Sequence, residues 1–282
     1  MTSISLPIYG QGSQPPEQDG VTLDYLQMPQ DMATYSMPQI SSDLNSQALA
    51  QAKSVLELLL QDLIAFPVIS KPRDLSQLNF GNRKFIDELL GEGEVSAICS
   101  GEQKISIQES VLAGVWRLQQ LNTERQIIND TLEVGIIPQQ ILQSAFNGAS
   151  EQIDTYWTEL PSGVMNAPPL LAELNARIAD YRPGSEAHTI NLSLLPQTDQ
   201  DLAFLAERLG NGAATILSRG YGNCRIAATG IRYVWWLRYF NSQDTLILNT
   251  LEVSDVPIVA CASPEDIADS SERLQEILKV YL

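Results

Sequence analysis

Three cysteines, Cys99, Cys224 and Cys261, and one histidine, His188, are the residues of this 282-residue chain best suited to nucleophilic or metal chemistry. Structural zinc and iron-sulfur sites draw thiolates from closely spaced pairs, and these cysteines are far apart with no CxxC among them. A Cys-His or Ser-His-Asp arrangement needs an imidazole, and His188, in EAHTINL, has no motif linking it to Cys224. Cys224 itself stands two residues after Gly222 in a predicted strand. It can be read as a thiolate ligand or nucleophile, alone or with Cys99 or Cys261, or more simply as a buried inert thiol. The acidic run Gly91-Glu92-Gly93-Glu94 is explained by a helix stop and turn rather than a carboxylate pair. No glycine pair joins a strand to a following helix as a phosphate-binding loop requires. The residues therefore predict no catalytic site and call for no cofactor and no metal.

Binding chemistry is better represented. The stretch Arg219 to Phe240, RGYGNCRIAATGIRYVWWLRYF, alternates through aromatic and β-branched residues behind a Gly-Tyr-Gly turn containing Tyr221. That pattern predicts a long strand entering a hairpin. On alternation, Ile231, Tyr233, Trp235, Leu237 and Tyr239 share one face, which reads as core. Arg232, Val234, Trp236, Arg238 and Phe240 share the other, and a tryptophan flanked by arginines has the composition of an interface hot spot. The competing reading has one of the protein's own helices covering Trp236, with the arginines snorkelling outward.

A second candidate contact is residues 1–40, rich in Pro, Gln, Gly and Asp and too thin in apolar residues for a core. No basic residue precedes Lys53, whereas Asp19, Asp24 and Asp31 are acidic. The segment reads as an extended or disordered arm, solvated or partner-binding. The whole chain has a net charge of −17, which argues against nucleic-acid binding, because that is driven by Lys and Arg neutralising phosphates. The N-terminus lacks the basic start and apolar run of a signal peptide, and runs such as Val55 to Leu60 are far short of a membrane span. A cytoplasmic protein with no membrane insertion is expected.

The elements that position these residues look duplicated. Seventeen residues between Phe85 and Pro138 recur 119 positions later without a gap. They include Phe85 and Phe204, Gly91 and Gly210, Trp116 and Trp235, and Thr131 to Val134 as Thr250 to Val253. This level of self-identity is well above chance from composition. Two copies predict a packed pseudo-symmetric pair rather than a solenoid. A helix over about 41–66 ends at Pro67. The first repeat follows with a helix over about 83–90 and strands over about 95–99, 104–112, 115–121 and 126–134. The middle two can be one strand kinked at Ala113-Gly114.

The expected organisation is an arm at 1–40, a helix plus the first repeat at 41–138, a helical connector at 139–196, and the second repeat with a C-terminal helix at 197–282. The second repeat opens with a helix over about 200–209. Ser263-Pro264-Glu265-Asp266 opens the last helix, with proline in its first turn and acids at its positive end. The fold class is α+β, two pseudo-symmetric helix-plus-antiparallel-strands repeats with flanking helices.

The chain resembles the HupH/HyaF family of hydrogenase expression proteins. The resemblance rests on Gly10-Gln11-Gly12-Ser13-Gln14-Pro15, FIDELLGEGEVSA (Phe85 to Ala97), HTINLSLLP (His188 to Pro196), Arg219 to Asn241, and TLEVSDVPIV followed by ASPEDIADSSERL, and it covers nearly the whole chain. It implies a non-enzymatic accessory role in maturing a membrane-bound uptake nickel-iron hydrogenase. The implied partners are the iron-sulfur small-subunit precursor, attended before twin-arginine export, and other maturation proteins. The family has no established catalytic residues to carry over. The alternative is an iron-sulfur-cluster-handling or thiol-dependent factor using Cys224.

Overall fold

The computed structural model describes residues 49–220 and 222–281. Helix α1, Ala50–Ala65, buries Ala52, Leu56, Leu59 and Leu63, a spacing of three to four residues that puts them on one stripe. The part of the predicted first helix before residue 49 lies outside the described residues. Helix α2, Phe80–Leu90, starts where the Asn79 side chain accepts from Asn82 N at 2.9 Å and stops at Gly91 with φ 50°. Helix α5, Asp199–Leu209, is built the same way, with a reciprocal cap between Thr198 and Asp201 and a stop at Gly210, φ 61°.

Four strands follow each of these helices or flank it closely. They are β2 (Val95–Cys99), β3 (Lys104–Glu109), β4 (Val115–Leu121) and β5 (Ile127–Val134) in the first half, and β7 (Ala214–Ser218), β8 (Asn223–Ala228), β9 (Val234–Phe240) and β10 (Leu246–Val253) in the second. With β1 (Arg73–Asp74) and β6 (His188–Asn191) at the edges they form one ten-stranded sheet, order β1-β5-β4-β3-β2-β7-β8-β9-β10-β6. Every neighbouring pair is antiparallel, and β2 against β7 joins the halves. The sequence contains both edge strands, but two residues at Arg73–Asp74 and four at His188–Asn191 are too short for a period-2 signal to register.

Residues 104–121 are two strands, not one kinked strand. Lys104 pairs with Leu121 and Glu109 with Trp116, closing a hairpin whose turn needs a left-handed residue, supplied by Gly114 at φ 77°. The matching hairpin of β8 and β9 has Tyr233 there at φ 66°, a costly conformation for a non-glycine residue. That turn breaks the alternation. Tyr233 packs with the Trp236 side of the sheet, its ring 4.9 Å from that of Tyr181, and also lies 6.1 Å from the Phe146 ring.

Both sheet faces are covered. On one lie α1, α2 and α6 (Pro264–Tyr281), over Val115 and Leu132 of the first half. On the same face α4 (Ala167–Asp180) and α5 lie over Val234, Trp236 and Leu251 of the second half. The opposite face carries Ala97, Ile107, Trp116, Ile216, Ile226, Trp235 and Leu237, covered by α3 (Gln139–Ser144), Ala145 and a 3-10 turn at Ile258–Ala260. Residues 139–196 hold α3, α4 and the edge strand β6. Trp116 Nε1 donates to Gly135 O at 2.8 Å and Trp235 Nε1 to Ser254 O at 3.2 Å, equivalent ties that fix the strand ends in each half.

Asp201 is the joint between α4 and α5. Its Oδ1 accepts from the backbone N of Met165, Asn166 and Ala167 at 2.8, 2.8 and 2.9 Å, supplying the N-terminal donors of α4 that lack helical partners. Its Oδ2 accepts from Thr198 N at 3.1 Å and Thr198 Oγ1 at 2.9 Å. In the first half Asn82 Oδ1 accepts from Ala52 N of α1 at 2.7 Å, a related tie made with a neutral side chain.

Candidate functional site

Trp236 is not a surface residue. It is fully buried beneath α4 and α5, and its Nε1 donates to Asn249 Oδ1 at 2.6 Å. The reading of Trp236 as an exposed hot spot is corrected to the one in which the protein's own helices cover it. Sequence alternation misled because it assumes one wet face, whereas this strand has helices on both sides. Arg238 is half-buried, with its guanidinium 5.2 Å from the Trp236 ring centroid, a packing contact that also shields the indole.

Arg232 lies in the turn before β9, two residues ahead of its first residue, Val234. It pairs with Glu151 at 2.8 Å and is 42% exposed. The arginines therefore do not form one patch with Trp236. Tyr221, Asp19, Asp24 and Asp31 lie outside the described residues.

The thiols are set for inertness. Cys99 and Cys224 are buried in strands β2 and β8 and Cys261 is half-buried. Burial pushes Cys99 up to about 11 and Cys224 up to about 12, the first offset in part by Ser144 and the second by Tyr239. Burial, with Glu252 and Glu109 nearby, pushes Cys261 up to about 12. A nucleophile or metal ligand needs the thiolate, which these surroundings disfavour. Among the described residues no group of three or more His, Cys, Asp or Glu side chains could hold a metal ion. His188, on β6, meets Glu173 of α4 at 2.9 Å instead of Cys224.

What sequence reasoning missed is an apolar corner at the outer edge of the second half. Strand β6 covers β10 only from Thr250 to Val253, leaving Leu246 to Leu248 beyond its end. Just after β6, Ser193 Oγ accepts from Asn249 N at 2.8 Å, which sets Leu194 and Leu195 beside this bare edge. Leu194 is 80% exposed and Ile247 61%. The strand register shifts at Ile247, as a bulge would produce. Phe240, under the Arg225 guanidinium at 4.1 Å, and Arg238 stand on β9 next to it. An apolar edge beyond the end of β6, flanked by Arg238 and by the Arg225–Asp244 ion pair at 2.7 Å, is suited to hold an extended or apolar peptide segment. The stretch HTINLSLLP was in view only as part of the family resemblance, and nothing in its pattern marks which leucines stay exposed.

Comparisons with known proteins agree on one family. The family model for the C-terminal conserved region of HupH hydrogenase expression proteins matches residues 74–153 and 164–281. The chain is 46% identical to hydrogenase expression/formation protein HoxQ of Cupriavidus necator, over 99% of this chain and 98% of that protein. It is 42% identical to hydrogenase expression/formation protein HupH of Rhodobacter capsulatus, over 96% of this chain and 95% of that protein. With the hydrogenase-1 operon protein HyaF of Escherichia coli the identity is 37%, over 72% and 71% of the two chains. A solved structure, hydrogenase expression protein HupH from Thiobacillus denitrificans, is 31% identical with a TM-score of 0.38, covering 40% of this chain and 95% of that one.

Proposed function

The chain belongs to the HupH family of hydrogenase expression proteins, and from that premise we propose that it is a non-catalytic chaperone or adaptor in hydrogenase maturation. The role in maturation follows from the family. The finer reading is that it holds the iron-sulfur small-subunit precursor of a membrane-bound uptake nickel-iron hydrogenase in the cytoplasm before twin-arginine export.

The observation that carries this reading is the apolar corner of Leu194, Leu195 and Ile247 on an acidic protein. A signal segment has a positive start and an apolar stretch of about 7–15 residues. A chain of net charge −17 attracts the first, and the β10 edge buries part of the second. Asp19, Asp24 and Asp31 supply charge in this scheme, and Arg238 and Arg225 rim the apolar corner. Arg232, in the turn before β9, and Tyr221 remain proposed contacts of the same partner. The thiol-dependent alternative has less behind it, since Cys224 is fully buried and its thiol strongly disfavours ionisation. Among the described residues no helix is long and apolar enough to cross a membrane.

The test is capture of tagged small-subunit precursor from cells expressing the hydrogenase operon. The unaltered chain is expected to bring it down, and Ile247→Asp with Leu194→Asp to reduce recovery at least tenfold while circular dichroism stays unchanged. Recovery of no small subunit by the unaltered chain overturns the chaperone reading, and undiminished recovery by the variant overturns the placement at this edge.

A further inference from the structure

The two edges of the sheet are closed differently. In the second half His188 to Asn191 pair with Val253 to Thr250. The residues 119 positions earlier, Ile69 to Pro72, do not pair with the sheet. The ladder on that edge is limited to Arg73 with Leu132 and Asp74 with Thr131. Ile69 to Pro72 instead stand off as one wall of a groove of about 490 Å³. Gln139, Gln140 and Gln143 at α3 form the opposite wall, and strands β3, β4 and β5 the floor.

The floor is apolar at Ile105 and Leu118, with carboxamides and hydroxyls around it at Gln120, Asn129 and Thr131. Each carboxamide offers a donor and an acceptor, the same pair a peptide backbone presents. Lys71 and Glu133 are the charged lining residues, and Lys71 makes no ion pair among the described residues. The rim is apolar and open, Ile69 being 72% and Val68 69% exposed. The volume is that of a site for a medium-sized ligand. At about 3.3 Å per residue the groove suits a short extended segment, as β6 is in the other half.

We infer that this groove is a strand-docking site whose occupant is the chain's own segment Val21 to Leu26. That segment reads Val-Thr-Leu-Asp-Tyr-Leu, with Val21, Leu23 and Tyr25 on one side of an extended chain and Thr22 and Asp24 on the other. In this inference the apolar side of the segment is matched to the floor at Ile105 and Leu118, and its acidic character to Lys71 on the wall. Forty-eight residues precede Leu49, where the described chain begins, so the segment is tethered to the fold. The 23 residues from Leu26 to Leu49 reach roughly 75 Å when extended, several times the radius of gyration of about 17 Å for a globule of this size. Tethering gives an effective concentration on the order of millimolar, enough for a weak site to be filled most of the time. The inference is independent of the partner edge on β10, which lies at the other end of the sheet.

The test uses the full-length chain with a photo-crosslinking phenylalanine at position 25, in a mixture of isotopically light and heavy copies. Adducts are expected within one copy, on peptides spanning residues 69–72, 105–120 or 129–143. Adducts between light and heavy copies, or on any other peptide, overturn the inference. Hydrogen exchange gives a second reading. Residues 69–72 and 131–134 are expected to exchange about tenfold faster in the full-length Leu23→Asp, Tyr25→Asp double variant than in the unaltered chain. Equal exchange in the two proteins overturns it as well.

Discussion

Replacing Trp236 by alanine separates a core residue from a contact residue. The indole is fully buried among Leu171, Leu205 and Leu251, so its loss opens a cavity at a cost of about 3–5 kcal/mol. Asn249 Oδ1 also loses its 2.6 Å donor inside the protein, adding about 1–3 kcal/mol if no water replaces it. Together these approach the whole stability of an ordinary domain, about 5–15 kcal/mol. At about 2–4 °C per kcal/mol for a fold of this size, the melting temperature is expected to fall by roughly 10–25 °C. Trp236→Phe keeps most of the bulk and removes only the donor, so its fall is expected to be about a third as large. Differential scanning calorimetry of both variants is the assay, with urea titration to check that the slope is unchanged. A fall below about 3 °C for Trp236→Ala, with precursor binding lost, would refute the core assignment and restore the hot-spot reading.

Burial would raise the Asp201 carboxyl, but the N–H groups of Thr198, Ala167, Met165 and Asn166 outweigh it and hold the pKa at about 2. A lowered pKa contributes stability that is fully present above about pH 4 and is lost as pH falls towards 2. Asp201→Asn is therefore expected to cost about 2 kcal/mol at pH 7 and to flatten the acid limb of a stability-versus-pH curve. Glu109 has the opposite sign. Burial, with Glu94 and Asp266 nearby, raises its pKa to about 7 despite the N–H of Gly114, so its ionisation erodes stability as pH rises from about 4.5 through 7. Glu109→Gln is expected to be more stable than the parent at pH 8 by about 2–3 kcal/mol and indistinguishable at pH 4 in urea unfolding. The three thiols are expected to resist a disulfide reagent at pH 8 in the folded protein and all to react in denaturant. Fast labelling of Cys224 in the native state would reopen the thiol-dependent reading.

Where the sequence had strong local signals the elements were legible. Gly91 and Gly210 stop their helices, Val95–Cys99 and Val115–Leu121 are strands with the boundaries expected, and Pro168 and Pro169 sit in the first turn of α4. What was not legible depends on neighbours in space. No pattern in VLAGVW says that Lys104–Glu109 folds back on Val115–Leu121, because glycine serves a bulge and a hairpin turn alike. The assignment of β9's two faces failed at Tyr233, where a left-handed backbone re-aims the side chain without a glycine to mark it. The apolar corner at Leu194, Leu195 and Ile247 was hidden because exposure is a property of the assembled edge. Their exposure follows from β6 ending at Asn191.

The arginine-tryptophan pattern of β9 is better explained by comparing the two halves than by a partner. Position 236 matches 117 in β4, and 249 matches 130 in β5. In the first half Arg117 meets Asp130 through Nε at 2.9 Å and Nη2 at 2.8 Å, with Asp87 of α2 as a further partner. Asp130 is buried at 1% exposure, and Arg83 of α2 approaches it at 3.9 Å. A buried carboxylate is tolerable only with such a set of cations and donors. In the second half the helix positions of Arg83 and Asp87 are Leu202 and Ala206, both packed in the core beneath α4. With leucine and alanine at the two α5 positions that supply the network in the first half, an arginine at 236 would be stranded in apolar surroundings, and an aspartate at 249 likewise. The neutral pair Trp236 and Asn249 fills the same space and keeps one hydrogen bond. Tryptophan stands between arginines here because it replaces one in the interior, while Arg232, in the turn before β9, reaches Glu151 and Arg238 packs against the buried indole.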